Sequence, residues 1–184
     1  DGDDVFNIIK KLIIGSEGTL GFLSNITQRT IPLYSHSASA LLIFDNLNAT
    51  GLAIQRFKQF DLPVAAAELI DNNALQIVAD MPGMPVGIAA MPVTTTALLL
   101  RIDSINLASL NKAIDSVKSA LADLALQTPI EFSSDPNTTA KWWKIRKSLF
   151  PAVGAKRAPN TTALIEDVCY PMAVLPQALR DLRE

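Results

Sequence analysis

The stretch Thr95-Thr96-Ala97-Leu98-Leu99-Leu100-Arg101-Ile102, followed by Leu110, Ile114, Val117, Leu121 and Leu124, decides the fold class. Its first part is a short apolar run with the length and bulk of a strand. In its second part apolar residues recur at spacings of three and four, the stripe of an amphipathic helix. Such a strand–helix unit buries the helix stripe against a sheet and leaves the other helix face in water.

The same alternation extends in both directions. Upstream, Ala38 to Phe44 reads as a strand. Asn48 or Thr50 can cap the helix after it, with Leu52, Phe57 and Phe60 as its buried stripe. Val64 to Ile70 is a second strand, and Asp71 can cap a short helix through Leu75 and Val78. Residues 81–92 are rich in proline and glycine and predict an irregular loop, whose Met81, Met84 and Met91 suit packing against a neighbouring surface. Downstream, Ile130-Glu131-Phe132 reads as a short fourth strand and Trp142 to Phe150 as a helix ended by Pro151. Thr161 to Tyr170 reads as a fifth strand, and Leu175, Leu179 and Leu182 stripe a last helix after Pro171. The simplest architecture is α+β: a ferredoxin-like antiparallel sheet with helices on one face.

The N-terminal part reads differently. Residues 8–14 and 22–31 predict two strands flanking Gly15-Ser16-Glu17-Gly18-Thr19-Leu20-Gly21. Pro32 closes the second strand and Ser35-His36-Ser37 is a polar linker. The boundary divides a segment 1–34 from a domain 38–184.

Composition bounds the function. Of 184 residues, 49% are hydrophobic and 18% charged, so the chain can bury a sizeable core. The low charge also suits apolar surface turned toward another domain or subunit, including a homo-oligomer. Sixteen basic and 18 acidic residues are spread along the chain for a net charge of −2. No basic stripe is present to neutralise phosphates, which argues against a nucleic-acid partner. Cys169, the single cysteine, rules out an internal disulfide, points to a reducing compartment, and reads as a buried structural thiol beside Val168 and Tyr170. No run approaches the roughly 18 continuous apolar residues of a membrane helix. Asp1-Gly2-Asp3-Asp4 lacks an initiating methionine, and the chain stops inside a helical pattern, so both ends read as cut.

The glycine loop brings backbone close to a ligand and points N–H groups at oxyanions. It lacks the Lys-Ser/Thr of a P-loop, and no helix follows as in a dinucleotide fingerprint. Taken alone, it also reads as a tight turn between paired strands. Arg146 beside Trp142 and Trp143 can hold a carboxylate through two parallel hydrogen bonds, or it can snorkel over an aromatic surface. Lys156 and Arg157 read as a solvated loop. Adjacent Glu166 and Asp167 on a strand point to opposite faces and cannot work as a carboxylate pair. His36, the single histidine, lies in the linker and supplies no multi-histidine metal site.

Two motifs carry a resemblance. Ile14 to Phe22 with Ile26-Thr27 and Ile31-Pro32 resembles the end of the FAD-binding domain in the vanillyl-alcohol oxidase/PCMH superfamily. Trp143-Lys144-Ile145-Arg146-Lys147, Pro151-Ala152-Val153-Gly154-Ala155, Leu164-Ile165-Glu166-Asp167-Val168, Pro171 and Leu175-Pro176 are similar to the FAD-linked oxidase C-terminal (cap) domain. They resemble most the D-2-hydroxyacid dehydrogenase branch, including D-lactate and D-2-hydroxyglutarate oxidisers, that carries an iron–sulfur domain. The resemblance implies FAD as cofactor, contacted by Gly15, Ser16, Glu17, Gly18, Thr19 and Gly21. It implies a small 2-hydroxy acid as substrate, bound by Arg146 and Trp143. It implies a divalent metal and a 4Fe-4S cluster in other segments, with catalytic histidines beyond Glu184 and the rest of the FAD domain before Asp1. An apolar Ile165 stands near where some D-2-hydroxyglutarate oxidisers have lysine, which leaves the acid open. The lone cysteine and the resemblance suggest the cytoplasm, with the inner face of a membrane as a peripheral location. A fragment of this kind is expected to be inactive alone. The other class of reading is a free-standing ferredoxin-like binding or regulatory module, in which the glycine loop is only a turn.

Overall fold

The computed structural model describes residues 4–161 and 170–182, and these form two compact units divided after Leu33.

The first unit contains helix α1, Val5–Ile13. A strand was expected over 8–14, and its β-branched residues favour one. The spacing of Val5, Ile8, Ile9 and Leu12 is helical, however, and Asp4 caps the first turn by accepting from the Asn7 N–H at 3.0 Å. Lys10 and Lys11 occupy the last turn, where the helix dipole favours cations. Residues 22–31 hold no strand, so the expected strand pair is absent from this unit. No described residue before Ala38 is buried. Phe22, Ile31 and Leu33 are almost fully exposed.

The second unit is built on three antiparallel strands. They are β1 (His36–Phe44), β2 (Ala66–Ile70) and β3 (Thr96–Ser104), in the order β1-β3-β2. Helix α2, Leu47–Gln59, follows β1, and α4, Leu107–Leu121, follows β3. Helix α3, Asn72–Val78, α5, Pro136–Lys156, and α6, Leu175–Asp181, complete the unit. Side chains of a strand alternate between faces, so this sheet has two cores. On one face Ala40, Leu42, Phe44, Leu98, Leu100 and Ile102 pack against Ala53 and Phe57 of α2 and Leu110, Val117 and Leu121 of α4. This is the predicted ferredoxin-like layer. The opposite face was expected to be free of helices and is covered as well. There Ile43, Ala97 and Ile70 pack on Leu75 and Val78 of α3, Ile88, and Ile145 of α5. Met81, Met84 and Met91 pack against this second core, as their loop composition predicted.

Several boundaries differ from expectation. Asn46, not Asn48 or Thr50, caps α2 by accepting from the Ala49 N–H, and Phe60 at its C-terminal end is exposed. Asp71 caps α3 as expected. The fourth strand reduces to single bridges of Ser133 to Ser39 and Leu126 to Phe44 along the free edge of β1. Pro129 lies between them without an N–H to donate, so a continuous ladder cannot form. Helix α5 runs through Pro151 instead of ending before it, at the loss of one backbone hydrogen bond. His36 opens β1 opposite Ser104 and is half-buried, where a solvated linker was expected. Most of the fifth strand, with Ile165, Glu166, Asp167 and Cys169, lies outside the described residues.

Candidate functional site

Asp135 caps helix α5: its carboxylate accepts from the Thr138 Oγ1–H at 2.6 Å and from the Thr138 N–H at 2.8 Å, and these two bonds, the side-chain one foremost, hold the Asp135 carboxyl below its ordinary range. Its buried Ile145 anchors the helix on the sheet. Trp142 donates its Nε1–H to the Gly83 carbonyl at 3.0 Å, tying α5 to the methionine-bearing loop. Trp143 donates to Ser39 Oγ on β1 at 2.9 Å. Arg146, three residues on and therefore on the same helix face, sets its Nε 3.2 Å from Glu68 Oε1 on β2. The Arg146 side chain is 48% exposed, and Glu68 is its only polar partner among the described residues. An arginine held through Nε keeps its terminal N–H groups for a second acceptor. The predicted pair Trp143 and Arg146 is thus brought together over the sheet. Lys156 ends α5 and Arg157 follows it, both exposed and apart from these contacts.

One residue beside this pair escaped the sequence reading. Arg101 lies on β3 directly between Ser39 on β1 and Ala66 on β2, with its Nε 2.7 Å from Asp103 Oδ1. The signal that could have found it is an arginine that directly follows the apolar run Ala97-Leu98-Leu99-Leu100 inside the central strand.

The glycine loop belongs to the first unit. Gly15 and Gly18 have φ of 81° and 78°, and Glu17 also lies in the left-handed region. The Ser16 carbonyl accepts from the Thr19 N–H and Oγ1–H, closing a compact turn. A shallow cavity of 360 Å³ lies against it, lined by Ser16, Gly18, Gly21 and Phe22 among others. Gly21 has neither a positive φ nor a neighbour that a Cβ would meet. Gly15, Gly18 and Gly21 have no atom within 4 Å of where a Cβ would stand, so the loop leaves open space at which a flat ligand can lie.

Among the described residues no three His, Cys, Asp or Glu side chains cluster to hold a metal, and no helix is long and apolar enough to cross a membrane.

The profile of a family described as "FAD linked oxidases, C-terminal domain" matches residues 33–184. The chain belongs to this family. Among curated relatives, the mitochondrial D-lactate dehydrogenase [cytochrome] of Arabidopsis thaliana is 30% identical, over 93% of this chain and 29% of its own length. Glycolate oxidase subunit GlcD of Escherichia coli K12 is 26% identical over 93% of this chain and 32% of its own. A probable mitochondrial D-lactate dehydrogenase of Danio rerio is 24% identical over 93% and 33%. The chain therefore spans about a third of the length of the relatives it matches.

Proposed function

We propose that the protein to which this chain belongs oxidises a D-2-hydroxy acid to the 2-oxo acid with FAD as acceptor. The observation that supports it most is the family match, joined to an exposed, oriented Arg146 on the sheet-facing side of α5. Bound FAD would supply a two-electron acceptor for the hydride leaving the substrate Cα. Arg146 grips the substrate carboxylate with its terminal N–H groups while Glu68 fixes its direction. Trp143, held by Ser39, walls the site beside the guanidinium and excludes water there. Residues 15–21 lie along the flavin, with Gly21 allowing close approach.

In this reading the first unit is the end of a flavin-binding domain completed by other sequence. That accounts for a unit of some thirty residues with no buried side chain among its described residues, far too small for a core of its own. The 184 residues alone are expected neither to retain FAD nor to turn over D-lactate. Gel filtration of the chain mixed with FAD, read at flavin wavelengths, checks this; absorbance co-eluting with the protein would contradict the assignment. In the complete flavoenzyme, Arg146→Gln should lower kcat/KM for D-lactate by roughly 10- to 100-fold, the worth of a charge-assisted contact.

A further inference from the structure

Three of the four methionines fall within residues 81–91, and all three sit on the second core. Met81, Met84 and Met91 are each half-buried, packed against the cluster that includes Leu75, Val78, Ile88 and Ile145. Oxidation of a fully exposed thioether leaves the packing untouched, and a fully buried thioether is not reached by an oxidant in water. These three lie between those limits, open in part to solvent and held in part by the core.

The segment that carries them depends on that packing. Residues 81–92 contain no strand and only the short 3-10 turn Ile88–Ala90. Gly83 and Gly87 take left-handed backbone with φ of 104° and 82°, and Val86 is fully exposed. Trp142 of α5 donates to the Gly83 carbonyl at 3.0 Å, at a point between Met81 and Met84. The side-chain amides of Asn72 and Gln76 donate to the Pro92 and Ala89 carbonyls at 3.3 Å, longer than a well-formed bond. Within this fully described segment Ile88 is the one buried residue. Adhesion to α3 and α5 is therefore mainly apolar, and three of its anchors are thioethers.

We propose that residues 81–91 form a peroxide-sensitive clasp on α5, with Met81, Met84 and Met91 as its sites of modification. In each, the thioether sulfur attacks one oxygen of hydrogen peroxide, so that an S–O bond forms and the O–O bond breaks. The proton left on the transferred oxygen passes to the departing hydroxide, which leaves as water. Sulfur is oxidised to the sulfoxide and peroxide is reduced, with no further reactant. A sulfoxide is polar, and pressing it onto an apolar core without a hydrogen-bond donor is unfavourable. The segment then lifts from the core, and Trp142 loses its tie to Gly83. Methionine sulfoxide reductases reverse the change. The clasp needs neither flavin nor substrate, so it stands independently of the activity proposed above.

Hydrogen peroxide treatment of the 184-residue chain, followed by peptide mass spectrometry, tryptophan emission and elastase cleavage, tests the clasp. Met81, Met84 and Met91 should each gain one oxygen while the chain stays folded. Both tryptophans lie on α5, and their emission should move to longer wavelength as Trp142 meets water. Cleavage between residues 82 and 90 should accelerate roughly tenfold or more as the open form becomes populated. Reductase treatment should restore both signals. The triple variant Met81→Leu, Met84→Leu, Met91→Leu keeps apolar bulk and should show neither change, although it retains Met172 and Cys169. Met172→Leu, altered outside both cores, should respond like the native chain. Should the triple variant fail to fold, the three single leucine variants take its place, each with a smaller response than the native chain. Methionines 81, 84 and 91 that stay unoxidised until the chain unfolds overturn the clasp. So does full oxidation with emission and cleavage unchanged, or a response that survives the leucine substitutions.

Discussion

At the scale of single residues, the surface ion pair between Arg56 on α2 and Asp123 after α4 shows how local geometry sets a titration. Arg56 donates to both carboxylate oxygens of Asp123 and to the Ala120 carbonyl at 2.7 Å, bracing the two helices on one face of the sheet. The hydrogen bonds from Arg56 hold Asp123 down at about 2. A carboxyl lowered by folding adds stability that is fully present above its unfolded value and is lost as pH falls through its folded one. The chain should therefore lose this contribution between about pH 4 and pH 2. Acid-unfolding curves of Asp123→Asn should be flatter over that window than those of the native chain. An unchanged slope would show that the pair does not persist in solution, as is common for exposed ion pairs. Residue identity was also where the candidate site was most legible. Arg146 and Trp143 were found from a motif, and motifs keep residues close in sequence. Arg101 was missed because its significance depends on its row in the sheet, which joins residues more than sixty positions apart.

At the scale of elements, Gly83 controls how the methionine-bearing loop meets α5. Its φ is 104°, a Cβ there would come within 2.8 Å of the Lys141 Cβ, and its carbonyl accepts from Trp142. Gly83→Ala combines backbone strain with a clash on a helix, and should cost about 1–3 kcal/mol. Chemical denaturation measures that cost, and a loss below a few tenths would show that the loop shifts freely. The strands and helices of the second unit could be read because their apolar periods are clean. The errors have physical sources of equal clarity. In α1, β-branched composition outweighed a helical spacing and a capping aspartate. At 130–132, an apolar triplet suggested a strand whose ladder Pro129 interrupts. In α5, Pro151 suggested an end, yet the helix continues through it to Lys156, anchored further back by Ile145. A repeat also went uncounted: β1 ends into Asn46-Leu47 and β3 into Asn106-Leu107, each asparagine capping the helix that packs on the same face.

At the scale of the whole molecule, every buried described residue belongs to the second unit. Two cores on one three-stranded sheet, each with helices over it, make that unit self-sufficient. A chain beginning at Tyr34 is expected to fold and melt cooperatively, checked by coincident circular dichroism and fluorescence transitions. Separate or absent transitions would mean that the cap needs the preceding segment. Sequence alone carried the class of the fold, the family and the arginine on α5. Those depend on local periodicity and on short contiguous motifs, which survive without knowledge of the third dimension. Only the tertiary structure decided that helices cover both sheet faces, that residues 8–13 lie in a helix, and that Arg101 stands in one row with Ser39 and Ala66. The reason is common to all three: which face a side chain takes, and what waits there, is set by strand register and by packing between distant segments.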